Sequence, residues 1–248
     1  MKRSPSFVGF ALALPLVLGL VVPAAQEPEP VEIPAAELAA ARAVFGAVGK
    51  RLADVRELHA DYVQRQESLL LDEPLVSRGR FHLALDRGVL VLDLTEPVET
   101  RIRSDATTHR IHHVAERRAE VFRFRENRVT KALLACFSAD LARVEEVFWI
   151  AGHQVSEVER EGQEPLRLAT VALIPKEPEL AAFIASLTVV FDRDRQVPLK
   201  VQQRNREGEL VQFELADVEL VPRTEEPRAS LFDRELPPGT RSVETRVR

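Results

Sequence analysis

Cysteine is nearly absent from this chain. Cys136 is the only cysteine among 248 residues, so no intramolecular disulfide can form. It follows Leu-Leu-Ala, as the cysteine of a bacterial lipobox does, but a lipobox cysteine stands at the signal cleavage site and Cys136 lies far beyond it. We therefore expect no lipid anchor at Cys136, and we interpret it as a small buried hydrophobic residue rather than a nucleophile.

Long apolar runs are missing beyond the N-terminus. Residues 7–22 are apolar and follow Lys2 and Arg3, a pattern typical of an export signal, with cleavage expected after Ala24 or Ala25. An uncleaved signal anchor is the alternative. No later run approaches the roughly 20 apolar residues of a membrane-spanning helix. The sequence thus predicts a mature protein that is soluble outside the cytoplasm after signal-peptide cleavage.

Excess positive charge and familiar catalytic motifs are also missing. The net charge is −5, and loss of Lys2 and Arg3 with the signal makes it more negative. An acidic balance argues against nucleic acid and against an anionic membrane surface as partners. The sequence has no Gly-x-Ser-x-Gly, phosphate-binding loop or dinucleotide fingerprint. We predict a protein that is not an enzyme and has no cofactor.

Two groups of ionisable residues could suggest chemistry. His109 and His113 would share one face of a strand while His112 points to the other, which favours a solvated or partly buried strand over a metal site. Glu145 and Glu146 are neighbours on a predicted helix and do not face each other. A solvated helix face is therefore favoured over paired acid–base chemistry, and no metal is predicted.

The sequence does contain many segments that alternate between apolar and polar residues. Residues 187–191, 199–204 and 211–215 alternate in this way and are separated by charged or glycine-bearing turns. Such a pattern predicts consecutive antiparallel strands with one buried face, in an α+β chain that is mainly β. Further strands are predicted at 58–63, 69–75, 79–85, 89–94, 100–103, 109–114, 121–124, 155–159 and 166–174.

Helical spacing of apolar residues appears in two longer segments. It predicts one amphipathic helix at 35–56 and a central helix at 138–150, with Ser138 as N-cap and Gly152 as the stop. A helical turn is expected at 178–184. The predicted organisation is a signal peptide at 1–25, a polar, proline-rich linker at 26–34 and a single domain at 35–248.

Several short motifs occur in an order that points to a known family. Residues 60–64 (Ala-Asp-Tyr-Val-Gln) are similar to an Ala-x-Phe-x-Gln strand, and residues 79–83 (Gly-Arg-Phe-His-Leu) to a glycine-led strand. Leu231-Phe232 precedes residues 236–239 (Leu-Pro-Pro-Gly), as in the closing segment of the same family. With this order over most of 35–243, the chain resembles the LolA-like periplasmic carriers of outer-membrane lipoproteins.

The resemblance implies a fold and a function. The fold is an incomplete antiparallel β-barrel with helices covering its opening, and the cavity holds the acyl chains of a lipoprotein or another lipid. The partners implied are an inner-membrane ABC transporter and an outer-membrane acceptor, and the protein itself is expected to be a monomer. A family arginine tied to lid closure aligns with Arg87 or Asp86, of which we favour Arg87. The alternative is a periplasmic sensor or regulator of lipoprotein or envelope stress on the same fold.

The cavity is expected to lie between the apolar face of the sheet and the central helix. Phe148 and Trp149 either border this space or simply pack the central helix onto the sheet, and the sequence leaves both possibilities open. The residues predicted to line the cavity are Tyr62, Phe81, Leu90, Leu92, Phe148, Trp149, Phe191 and Phe213.

Overall fold

The computed structural model describes most of the predicted domain. The described residues are 31–68, 72–160, 162 and 164–247. The predicted signal peptide, residues 26–30 of the linker and the start of the strand predicted at 69–75 lie outside the described residues.

Helices and strands follow the order that the sequence patterns indicate, with the differences given below. The helices are α1 (Ala35–Leu52), α2 (Arg128–Phe137), α3 (Leu141–Val147), α4 (Pro178–Ala181) and α5 (Ala229–Phe232). The strands are β1 (Val55–Glu67), β2 (Leu75–Ala84), β3 (Val89–Glu96), β4 (Thr100–Ser104), β5 (Thr108–His113), β6 (Arg118–Phe124), β7 (Phe148–Val158), β8 (Leu166–Pro175), β9 (Ser186–Asp192), β10 (Val197–Arg204), β11 (Leu210–Pro222) and β12 (Arg241–Val247).

The described strands form one twelve-stranded sheet in the order β12-β6-β5-β4-β3-β2-β1-β11-β10-β9-β8-β7. Neighbouring strands are antiparallel except β12 and β6, which are parallel. Because β7 and β12 stand at opposite ends of this order, the sheet is open rather than closed into a barrel. The predicted fold class, a mainly β chain with an open, largely antiparallel sheet, is confirmed.

Helices α1, α2 and α3 cover one face of the sheet, which we call the inner face. The Phe45 ring of α1 meets Phe191 of β9 edge-on at a centroid distance of 5.1 Å. The Phe137 ring of α2 lies 4.9 Å from the ring of Phe81 on β2. The opposite, outer face carries a smaller apolar cluster in which Val89 and Val91 pack under Phe232 of α5. The inner-face core is the larger, so the hydrophobic effect holds the helices mainly to that face.

The central helix predicted at 138–150 is right for residues 141–147, which form α3, and wrong at both ends. Two shorter helices surround Ser138, which lies at the C-terminal end of α2 with its N–H bonded to the Leu134 carbonyl at 2.9 Å. Ala139 adopts a left-handed conformation (φ 50°) that ends one helix, and Asp140 caps the next by accepting a hydrogen bond from the Arg143 N–H. Ser138 is therefore the C-cap of α2 and not the predicted N-cap, and α3 begins three residues later than the predicted helix.

The end of that segment is a strand. Phe148 begins β7, and Gly152 lies inside β7 at an irregularity in the pairing with β8 instead of ending a helix. Helix α1 likewise ends at Leu52, and Val55 already belongs to β1, so the predicted end at 56 is four residues too late. The closing strand β12 was not predicted, because its exposed residues carry little apolar alternation.

Candidate functional site

Aromatic rings from neighbouring strands form the centre of the inner face. The Tyr62 ring on β1 lies between Phe81 on β2 and Phe213 on β11, at centroid distances of 6.4 Å and 6.1 Å. Phe137 of α2 continues this row beyond Phe81. The helices are thus held over the sheet by contacts that are almost entirely apolar and carry little directional preference.

The structure brings seven of the eight predicted cavity residues into one buried core. Each has at most 4% of its surface exposed, and the core continues under α1, α2 and α3. These seven are Tyr62, Phe81, Leu90, Leu92, Phe148, Phe191 and Phe213. Sequence reasoning missed Phe137, because the segment around it was not predicted to be a helix.

Trp149 is the one predicted cavity residue that lies elsewhere. It follows Phe148 on β7, so its side chain alternates to the other face of the strand, and it is only partly buried. The prediction that Trp149 belongs to a helix is wrong, because residue 149 is paired with Ile174 in the sheet.

Arg87 lies in the turn between β2 and β3 and contacts the C-terminal segment. Its guanidinium bonds the Asp233 carboxylate through two nitrogens, one of them at 2.9 Å. This contact holds the pKa of Asp233 below its usual range. Arg87 thus fastens the segment after α5, and a role in lid closure stays a prediction.

Polar side chains interrupt the apolar inner face beside Tyr62. The Tyr62 hydroxyl donates to Gln64 Oε1 at 2.7 Å, and burial raises the Tyr62 pKa well above its ordinary value, so the hydroxyl keeps its proton. Gln64 and Ser77 are Cα partners on β1 and β2, with 1% and 0% of their surfaces exposed. Gln64 Nε2 and Ser77 Oγ have no hydrogen-bond partner among the described residues.

The histidine cluster does not form a common site. His109 lies on the inner face and bonds Ser104 through Nδ1, and burial lowers its pKa to about 4. His112 points to the outer face near Arg101 and Arg110. His113 lies 3.4 Å from a carboxylate oxygen of Glu120. In the described part of the chain, no three histidine, cysteine or acidic side chains converge as metal ligands would.

A second buried polar cluster lies on the outer face beneath α5. His59 Nδ1 is 2.7 Å from His82 Nδ1, and His59 Nε2 is 3.0 Å from Glu57 Oε2. Glu57 Oε1 also accepts the Arg228 backbone N–H at 2.9 Å. A neutral His59 satisfies both contacts when its Nε2–H donates to Glu57 and its Nδ1 accepts from His82. The cluster therefore ties β1 and β2 to the segment that leads into α5.

Cys136 is fully buried in α2, where burial raises the pKa of its thiol far above the ordinary value. A thiol that stays protonated is a poor nucleophile, which agrees with its interpretation as a packing residue. None of the helices in the described ranges has the length and apolar character needed to cross a membrane.

An open, mostly antiparallel sheet with an apolar face under helices is the architecture that the sequence motifs predict. No family model and no curated protein sequence matches the chain. Among solved structures, an uncharacterised conserved protein of Thermus thermophilus superposes with a TM-score of 0.50 at 8% identity, over 83% of this chain and 99% of that one.

Two other solved structures superpose more loosely. A LolA superfamily protein of Nitrosomonas europaea gives a TM-score of 0.38 at 9% identity, over 77% of this chain and 96% of that one. A chain of the Pseudomonas aeruginosa MucA/MucB complex gives 0.41 at 14% identity, over 77% of this chain and 60% of that one. At such identities a likeness concerns the fold alone.

Proposed function

We propose that this protein, once exported, binds acyl chains of a lipoprotein or another lipid between its inner face and helices α1–α3, and carries them through the periplasm toward the outer membrane. The observation that supports this most is the continuous apolar surface shared by the sheet and the three helices. In this proposal an inner-membrane ABC transporter supplies the cargo and an outer-membrane acceptor takes it.

The energy of acyl-chain burial is large enough for this task. At ~0.8 kcal/mol per methylene, a chain of about sixteen carbons gains on the order of 12 kcal/mol when it leaves water. The rings of Tyr62, Phe81 and Phe213 at the centre of the inner face are at most 3% exposed, so an acyl chain reaches them only after the helices shift away from the sheet. Part of the gain then offsets the loss of helix–sheet contacts, which keeps the net affinity low enough for release.

The polar contacts at the helix margins suit such a movement. Arg42 of α1 bonds Glu145 of α3 at 2.7 Å, and both side chains are substantially exposed. Glu37 of α1 accepts the backbone N–H of His153 on the edge strand β7 at 2.7 Å. An exposed ion pair such as Arg42–Glu145 contributes at most about 1 kcal/mol, and Glu37 adds a single hydrogen bond, so these contacts position the helices without locking them.

The test is direct binding of lipid by the purified mature protein. We expect a fluorescent fatty acid to bind one-to-one with an emission blue shift, and lipid or lipoprotein to co-purify when the protein is isolated from its native periplasm and examined by mass spectrometry. If circular dichroism shows a folded protein that neither binds the fatty acid nor carries co-purified lipid, the proposed function is contradicted.

A further inference from the structure

The inner face carries two neighbouring polar side chains, Gln64 and Ser77, among apolar residues. Gln64 and Ser77 are directly opposite on the antiparallel strands β1 and β2, a position that brings Cβ atoms to about 5 Å. Both are buried, with 1% and 0% of their surfaces exposed. On the other side of Gln64, the register partner is the aromatic residue Phe213.

Among the described residues, neither side chain of this pair finds partners for all its donors and acceptors. Tyr62 donates to Gln64 Oε1, which fixes the amide so that Nε2 keeps two free N–H groups. Ser77 Oγ also has no partner among the described residues. Buried polar groups in folded proteins are nearly always paired, and an unpaired group lowers stability. Two such groups side by side therefore indicate a function that offsets their cost.

Their position suits the polar end of an amphiphile. Gln64 lies three residues before β1 ends at Glu67, close to the rim of the sheet. The rings of Tyr62, Phe81 and Phe213 extend from it along the apolar interior. A ligand whose hydrocarbon chain covers these rings would bring its first polar atoms to Gln64 and Ser77.

We propose that Gln64 and Ser77 form a subsite for the carbonyl oxygen at the head of a bound acyl chain, an inference that rests on the proposed function. The Gln64 amide N–H and the Ser77 hydroxyl both donate, so the ligand group must be an acceptor. An ester or amide carbonyl and a fatty-acid carboxylate share this chemistry. An alkyl chain without a carbonyl gains nothing from the pair.

The experiment compares ligands that have the same chain with and without a carbonyl group. Palmitic acid, dipalmitoylglycerol and hexadecane are titrated against a fluorescent apolar dye bound to the mature protein. Gln64→Leu and Ser77→Ala should each weaken binding of the carbonyl-bearing ligands about three- to tenfold and leave hexadecane unchanged. If the variants lose affinity for palmitic acid alone, the pair recognises a carboxylate. If they also lose affinity for dipalmitoylglycerol, the pair recognises any acyl carbonyl.

Gln203→Leu is the matched control. Gln203 is also a buried glutamine, 4% exposed, and it lies on β10, two strands from Gln64 in the sheet order. It donates to the Phe183 carbonyl at 3.4 Å. This variant should leave the ratio of palmitic acid to hexadecane affinity at the wild-type value.

Stability gives a second readout. Ser77→Ala removes an unpaired buried hydroxyl, so it should raise the melting temperature of the empty protein while it weakens carbonyl ligands. The subsite is overturned if the variants lose equal affinity for hexadecane and palmitic acid, or if both variants bind both ligands as tightly as wild type. Either result leaves the proposed function standing. If the wild-type protein binds none of the three ligands, the proposed function fails and the subsite fails with it.

Discussion

Three of the buried histidines, His59, His82 and His109, have pKa values lowered chiefly by burial. Burial lowers the pKa of His109 to about 4, and burial together with the neighbouring His59 lowers that of His82 to about 4. The pKa of His59 is also lowered, chiefly by burial, although Glu57 acts in the opposite direction. All three side chains are therefore neutral at pH 7, and the fold depends on their remaining so.

The first prediction follows for His109. An unfolded histidine titrates near pH 6.5 and the folded one near 4, so the unfolded chain binds more protons between these values and stability falls as the pH drops from 6.5 toward 4. At ~1.4 kcal/mol per unit of pKa difference, the loss approaches about 3 kcal/mol. Urea denaturation of wild type and His109→Gln from pH 8 to 4.5 measures it. The variant should lose stability less steeply with acid, and equal slopes would contradict the prediction.

At the scale of the elements, the backbone of β3 lies against Gly79 of β2 and leaves no room for a side chain. A Cβ at this position would lie 2.1 Å from the Asp93 carbonyl oxygen and 2.7 Å from the Leu94 Cα. Both atoms belong to the backbone of β3, so neither can move aside without breaking the pairing. Glycine is therefore required here by contact with the neighbouring strand and not by its own φ angle.

The second prediction compares two glycines. Gly79→Ala should lower the free energy of unfolding by several kcal/mol or prevent folding, because β2 must separate from β3. Gly46→Ala is the control, since Gly46 lies on the exposed side of α1 and a Cβ there meets nothing within 4 Å. That change should stabilise the protein by up to about 1 kcal/mol through helix propensity. Thermal unfolding of the two variants measures both effects. A Gly79→Ala protein as stable as wild type would show that β3 does not lie against residue 79 of β2.

The strands could be predicted from the sequence because their alternation depends only on which residues face the core. The hairpin of residues 79–85 and 89–94 is confirmed as β2 and β3. The helix predicted at 138–150 fails at 148–150, which open β7, because a short apolar segment fits a helix and a strand equally well. It fails at its start because the left-handed residue Ala139 has no strong sequence signal. The pairing of Gln64 with Ser77 depends on strand register, which the sequence of one strand does not contain.

At the scale of the whole molecule, the proposed function requires helix α1 to move relative to the sheet. The closed form buries Phe45 and Phe191 completely, with 0% of each exposed. Helix α1 crosses toward the edge strand β7, where Glu37 meets the backbone of His153. A covalent link at this margin would keep the helix on the sheet.

The third prediction uses such a link. Cysteines at Glu37 and His153, joined by a short reducible cross-linker, should reduce fatty-acid uptake at least tenfold, and reduction should restore it. In the control, cysteines replace Arg123 and Glu244 and are joined by the same cross-linker. This exposed pair connects β6 and β12. It should leave uptake unchanged. Normal uptake by the protein linked at Glu37 and His153 would show that α1 does not open.

The most direct measurement of the central claim is photo-cross-linking of a bound acyl chain. A palmitic acid with a diazirine in the middle of its chain is bound to the mature protein and irradiated, and the adducts are located by mass spectrometry. The account predicts adducts on the inner face, at residues such as Tyr62, Phe81 and Phe213, and on the helices that cover them. Adducts confined to the outer face, or none above the level of an unfolded control, would contradict it.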